Sequence, residues 1–70
     1  MPLEKILHEA KRYHKKGSLK KASALYQEIL YENPEIAEVW HLMGVLAHQN
    51  GKNELSVKLI KTAISLKDKE

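Results

Sequence analysis

The sequence has no cysteine and no phenylalanine, and its 70 residues include only three glycines, two prolines and one tryptophan. Without cysteine, the chain forms neither a disulfide nor a zinc site built on thiolates. Its longest stretch without a charged residue, 39–51, is too short to span a bilayer. The first residues include an early acid and lack the apolar centre of a signal peptide. These features predict one small domain that is soluble and cytoplasmic.

Three breaks, at Gly17, Pro34 and Gly51, divide the sequence into four segments of helical length. Within the segments, apolar residues recur at the i, i+3, i+4, i+7 spacing of a helix and do not alternate as in a strand. The predicted helices cover residues 3–15, 19–33, 36–50 and 53–66, followed by a frayed charged tail over 67–70. Ser18 is the predicted N-cap of the second helix.

A shift of 34 residues aligns the first two predicted helices with the last two. The identical pairs are Glu4 and Glu38, His14 and His48, Gly17 and Gly51, and Leu25 and Leu59. Residue size is preserved at Ala10 and Gly44, Ala22 and Ser56, Ile6 and Trp40, Tyr26 and Ile60, and Leu30 and Ile64. Small residues let paired helices approach closely, and large residues on the partner helix fill the space beside them. A 34-residue period with two helices per period is typical of the tetratricopeptide repeat.

Residues 37–70 resemble a tetratricopeptide repeat at most marker positions of that family. The matching residues are Trp40, Met43, Gly44, Ala47, Gly51, Ser56, Ile60 and Ala63. The first half resembles the family through Ala10, Tyr13, Gly17, Ala22, Tyr26 and Pro34. Residues 38–49 are also similar to the repeats that precede bacterial glycosyltransferases of the O-linked N-acetylglucosamine type.

The resemblance implies an all-α fold of two helix-turn-helix units, with four antiparallel helices in a short α-solenoid. It implies a single domain over residues 1–70, with repeat 1 at 3–36, repeat 2 at 37–70 and Trp40 buried between them. Some positions depart from the family pattern. Glu9 replaces a leucine, which predicts a loosely packed or solvated position on the first helix. Asp68 replaces the closing proline, so no third repeat is indicated.

The resemblance also implies a protein-binding function rather than an enzymatic one. In this family, partner peptides lie in a concave groove lined by the first helix of each repeat. The predicted groove residues are Leu7, Lys11, His14, Lys15, His41, Val45 and His48. This groove is mildly basic with an apolar floor, which suits an acidic or amphipathic peptide. The alternative is that these residues only face solvent.

The net charge of +3 belongs entirely to the first half of the chain. Six cations, with no acid among them, lie between Lys11 and Lys21: Lys11, Arg12, Lys15, Lys16, Lys20 and Lys21. Lys20 and Lys21 begin the second helix, where the helix dipole disfavours cations. This basic corner predicts an alternative function, the binding of nucleic acid or another polyanion. Tyr13, the one aromatic residue nearby, is assigned to the core, which argues against base stacking.

The sequence shows no nucleophile–base pair, phosphate-binding glycine loop or paired carboxylates, so we predict no enzyme and no cofactor. No metal site is predicted either. His41 and His48 are two helical turns apart, about 10 Å along the axis, which is too far for one ion to bridge directly.

The last predicted helix keeps an apolar outer face at Val57, Ile60 and Ile64. In an array, this face would be covered by the next repeat, and the end of an array is usually polar. Two repeats alone are also fewer than such arrays usually need for stability. The pattern therefore predicts either self-association through this face, in a two-fold dimer, or that the chain is a piece of a longer array.

Overall fold

The computed structural model describes residues 2–69, and within that range it contains four α-helices and no strand. The helices are α1 (Leu3–Lys16), α2 (Leu19–Glu32), α3 (Ala37–Gln49) and α4 (Asn53–Asp68). The all-α prediction is confirmed, and the predicted helix ends lie within two residues of those observed. The frayed tail is wrong for Lys67 and Asp68, which continue α4. Glu70, also part of that tail, lies outside the described residues.

The chain divides into two compact units, Met1–Pro34 and Glu35–Glu70. In the first unit α1 packs against α2, and in the second unit α3 packs against α4. Trp40, near the start of α3, is half-buried. The assignment of both repeats to one domain, and the burial of Trp40 between the repeats, stay predictions.

The connection between α1 and α2 closes around Gly17, whose φ of +85° is the left-handed conformation that favours glycine. The amide of Gly17 donates to the carbonyl of His14 at 3.1 Å, and the amide of Ser18 donates to the carbonyl of Tyr13 at 2.9 Å. Together they satisfy carbonyls that the end of a helix leaves without partners. Ser18 stands at the N-cap position as predicted, although its side chain makes no capping hydrogen bond.

The connection between α3 and α4 repeats this geometry 34 residues later. Gly51 has φ +78°. Its amide donates to the carbonyl of His48 at 3.0 Å, and the amide of Lys52 donates to the carbonyl of Ala47 at 2.8 Å. The two units therefore share the same backbone turn with the same two hydrogen bonds at equivalent positions.

The core of the first unit is formed by small and large residues that are almost completely buried: Ala10, Ala22, Tyr26 and Ile29. Glu9, on the same helix as Ala10, keeps 38% of its side chain exposed and lies 3.9 Å from the guanidinium of Arg12. The Glu9 carboxylate therefore remains hydrated, as the replacement of leucine by glutamate at this position predicts.

The core of the second unit depends on a close approach of α3 and α4 at Gly44. A methyl group added to Gly44 would lie 2.6 Å from Cγ1 of Ile60 and 3.3 Å from the carbonyl oxygen of Ser56. The hydroxyl of Ser56 donates a 2.7 Å hydrogen bond to the carbonyl of Gly44 across the same seam. Glycine is therefore required here by the packing, and its backbone has no unusual conformation.

Candidate partner-binding surfaces

The predicted groove residues of α1 lie on one face, since positions 7, 11, 14 and 15 are one or two helical turns apart. Leu7 is half-buried, whereas Lys11 and Lys15 are exposed. This face therefore combines an apolar base with two cations at its surface. Such a combination can hold an apolar side chain and a carboxylate of the same peptide.

His14 is partly directed into the seam between α1 and α2. Its Nδ1 atom forms a 2.9 Å hydrogen bond with the buried hydroxyl of Tyr26, and the two rings meet edge to face with centroids 5.8 Å apart. The hydrogen bond satisfies a phenolic hydroxyl that has no access to water. His14 thus has a structural role that the sequence reasoning missed.

The corresponding face of α3 carries His41, Val45 and His48. Val45 is half-buried and both histidines are exposed. Nδ1 of His48 forms a 3.0 Å hydrogen bond with Oδ1 of Asn53, the first residue of α4. His14 and His48 occupy equivalent positions in the 34-residue alignment. His14 contacts the buried Tyr26 in the seam between α1 and α2, whereas His48 contacts the exposed Asn53 at the start of α4. The groove that would join the faces of α1 and α3 remains a prediction.

The six cations of the basic corner are all exposed. They come from two helices of the first unit, Lys11 to Lys16 from α1 and Lys20 and Lys21 from α2. Tyr13 stands among them. The guanidinium carbon of Arg12 and the ammonium of Lys21 each lie 5.4 Å from the centroid of its ring. Tyr13 is half-buried, so it serves the corner as well as the core to which the sequence assigned it.

The predicted self-association face of α4 is mostly open. Val57 and Ile64 keep 52% and 56% of their surface exposed. Ile60 differs, because it is half-buried and packs where a side chain at Gly44 would stand. Beside Ile64, an open groove of about 670 Å³ runs between the start of α3 and the end of α4. Its lining includes Ile36, Ala37, Glu38, His41, Ala63 and Lys67.

Residues 2–69 contain no group of three side chains arranged to hold a metal ion. Among the helices in this range, none combines the length and the apolarity needed to cross a membrane. Every buried side-chain nitrogen or oxygen in the described part of the chain has a hydrogen-bond partner.

The fold is that of an all-α protein built from helical hairpins, and the same turn recurs after 34 residues. Residues 37–70 match the family model of the tetratricopeptide repeat, so the second unit belongs to that family. The four helices of the chain are consistent with two such repeats. Tetratricopeptide repeats are typically non-catalytic modules that bind other proteins. A comparison with curated protein sequences gave no match.

Proposed function

We propose that this chain is a non-enzymatic scaffold module that binds a peptide or partner protein through the first helices of its two units. The single observation that carries the proposal is the match of the second unit to a family of protein-binding repeats. The proposed groove consists of Leu7, Lys11, His14, Lys15, His41, Val45 and His48.

The character of these residues supports a peptide with both acidic and apolar side chains. Lys11 and Lys15 offer two cations four residues apart on α1, which suits carboxylates. Leu7 on α1 and Val45 on α3 are half-buried, and each offers apolar contact on its own helix. An amphipathic segment in a groove uses the same division between charged rim and apolar floor.

The test is affinity capture with the whole chain, identification of the captured protein, and calorimetric titration of that protein against variants. Lys11→Glu combined with His41→Glu changes one exposed residue on each groove helix and should weaken binding about tenfold or more. Gln27→Glu combined with Lys58→Glu makes the same change of charge at exposed positions of α2 and α4 and serves as the matched control. Equal binding by both double variants would place the partner elsewhere.

We also infer that a second copy of the chain covers the α4 face formed by Val57, Ile60 and Ile64. The exposure of two of these apolar side chains supports this assembly, as does the open groove beside Ile64. Burial of each such side chain contributes about 1.5–3 kcal/mol relative to exposure. Two units bury little surface on their own, so this contribution is a large share of their stability.

Sedimentation analysis over a concentration series tests the dimer. The wild-type chain should change from monomer to dimer as its concentration rises, with a melting temperature that rises in parallel. Val57→Lys combined with Ile64→Lys should hold it monomeric. Leu55→Lys, which replaces an exposed apolar residue of α4 outside this face, should leave the dimer intact. A folded wild-type monomer at all concentrations contradicts the assembly.

A further inference from the structure

The basic corner of the first unit brings cations of two helices to one aromatic ring. Arg12 on α1 and Lys21 on α2 are each 5.4 Å from the centroid of Tyr13, so their charges lie no more than twice that distance apart. The ring attracts both cations through its electron-rich face. Tyr13 thereby holds together two like charges that would otherwise repel.

The surroundings of this cluster are also positive. Lys20 is the second residue of α2, and Lys15 and Lys16 are the last two residues of α1. The first turn of α2 contains no acid, whereas those of the other three helices each contain a glutamate. The dipole of α2 adds further positive potential at its first residues. An anionic group placed between the two helices would thus relieve several unfavourable interactions at once.

We propose that this corner, formed by Lys11, Arg12, Tyr13, Lys15, Lys16, Lys20 and Lys21, binds a short acidic segment of a partner protein. The inference rests on the proposed function as a protein-binding module, and it extends the contact beyond the groove, with which the corner shares Lys11 and Lys15. In an extended segment, side chains at i and i+2 point to the same side about 7 Å apart. Two carboxylates at that spacing can pair with Arg12 and Lys21, which both lie 5.4 Å from the centroid of Tyr13.

Two features favour an acidic segment over nucleic acid. The ring of Tyr13 is half-buried and already in contact with two cations, so it is a poor platform for base stacking. The corner is also bounded by acids of the same unit. Glu9 lies 3.9 Å from Arg12, and Glu28 and Glu32 are exposed toward the other end of α2. A long polyanion that extended along α2 would meet Glu28 and Glu32, whereas a short segment at the corner would meet only Glu9.

Fluorescence anisotropy with the whole chain tests the proposal, using a labelled ten-residue peptide with six glutamates as the probe. Lys20→Gln combined with Lys21→Gln should weaken binding about three- to tenfold, because each exposed ionic contact contributes only modestly. Lys58→Gln combined with Lys61→Gln removes the same charge from exposed positions of α4 and should leave the affinity within about twofold. Binding should also weaken as salt is raised, because mobile ions screen exposed charges.

Three results would overturn the inference: no binding of the peptide, equal losses in both double variants, or tighter binding of a twelve-nucleotide single strand at the same ionic strength. The last result would instead assign the corner to nucleic acid. The His41→Glu variant separates this inference from the groove, because residue 41 lies outside the corner. If it loses the captured partner while the Lys20 and Lys21 variant retains full peptide binding, the corner fails and the proposed function stands.

Discussion

The two units share one backbone and pack its seam with different side chains. The 34-residue offset maps Ala10 and Tyr26 of the first unit onto Gly44 and Ile60 of the second. In the first unit both residues are completely buried, and the tyrosine hydroxyl is bonded to His14. In the second unit the glycine admits Ile60 to within 2.6 Å of where its own Cβ would stand.

This difference shows that two repeats can keep the same turn although the side chains in their seams differ in volume and polarity. The larger pair, alanine and tyrosine, brings a hydroxyl into the seam, and a histidine of α1 satisfies it. The smaller pair, glycine and isoleucine, brings the backbones close together. There the polar contact is made by Ser56, whose hydroxyl donates to the Gly44 carbonyl. Each unit thus has a polar contact in the seam of its helix pair, made from a different position.

The largest expected effect comes from Gly44→Leu, which would break the seam of the second unit. The clash begins at the first side-chain atom, so the helices must separate or Ile60 must move. We expect a loss of about 3 kcal/mol in the free energy of unfolding, at the upper end of typical overpacking costs. For a domain of this size, the melting temperature should fall by more than about 10 °C.

Circular dichroism during thermal unfolding measures this loss, and Lys58→Leu is the matched control. It adds the same side chain at an exposed position of α4, where surface substitutions change stability by about 0.5 kcal/mol or less. An unchanged melting temperature for Gly44→Leu would show that the close approach of α3 and α4 is not required.

A middle-sized effect is expected at the two turns, where the units should behave alike. Gly17→Ala and Gly51→Ala both place a Cβ on a residue with positive φ, and neither Cβ would meet an atom within 4 Å. The cost is therefore that of the backbone alone, about 1–2 kcal/mol. Urea titration should give equal losses for the two variants.

Asparagine sharpens this comparison, because it tolerates the left-handed conformation better than alanine does. Gly17→Asn and Gly51→Asn should therefore each retain more stability than the alanine variant at the same position. Unequal losses at residues 17 and 51 would mean that the shared hydrogen-bond pattern does not give the two turns a shared energy.

The sequence predicted the turns and helix boundaries that recur in both units, and it missed the side-chain contacts that differ between the units. Gly17 and Gly51 marked both turns because glycine is the residue that positive φ demands, and the helix boundaries followed from the breaks. The small size of Gly44 indicated a close helix contact. In contrast, nothing in the local sequence tells whether His14 faces a partner or Tyr26, because that choice depends on a contact between residues twelve positions apart.

The surfaces were predicted less completely for the same reason. The charges between Lys11 and Lys21 are plain in the sequence, but their convergence on Tyr13 depends on how α1 and α2 pack. The sequence assigned Ile60 both to the large-residue pattern of the helix pair and, with Val57 and Ile64, to the outer face of the last helix. Its contact with the site of Gly44 shows that a residue at the edge of a helix stripe can serve the seam as well.

The smallest expected effect separates the two polar contacts. Tyr26→Phe keeps the ring in the core and removes the hydroxyl that His14 contacts, which should cost about 1 kcal/mol, the typical net value of one hydrogen bond. Ser56→Ala gives the second unit the residue that the first unit has at the equivalent position, Ala22. It removes the hydroxyl together with the cost of burying it, and the Gly44 carbonyl keeps the amide partner that helix geometry provides. We therefore expect a smaller loss, about 0.5 kcal/mol.

Urea titrations of both variants measure the difference between the two losses. Equal m-values are the check that the unfolded states are comparable. A larger loss for Ser56→Ala would mean that its hydroxyl holds α3 and α4 together more strongly than the packing of Ile60 against Gly44 implies. The closer-packed unit would then be the one that depends more on its polar contact.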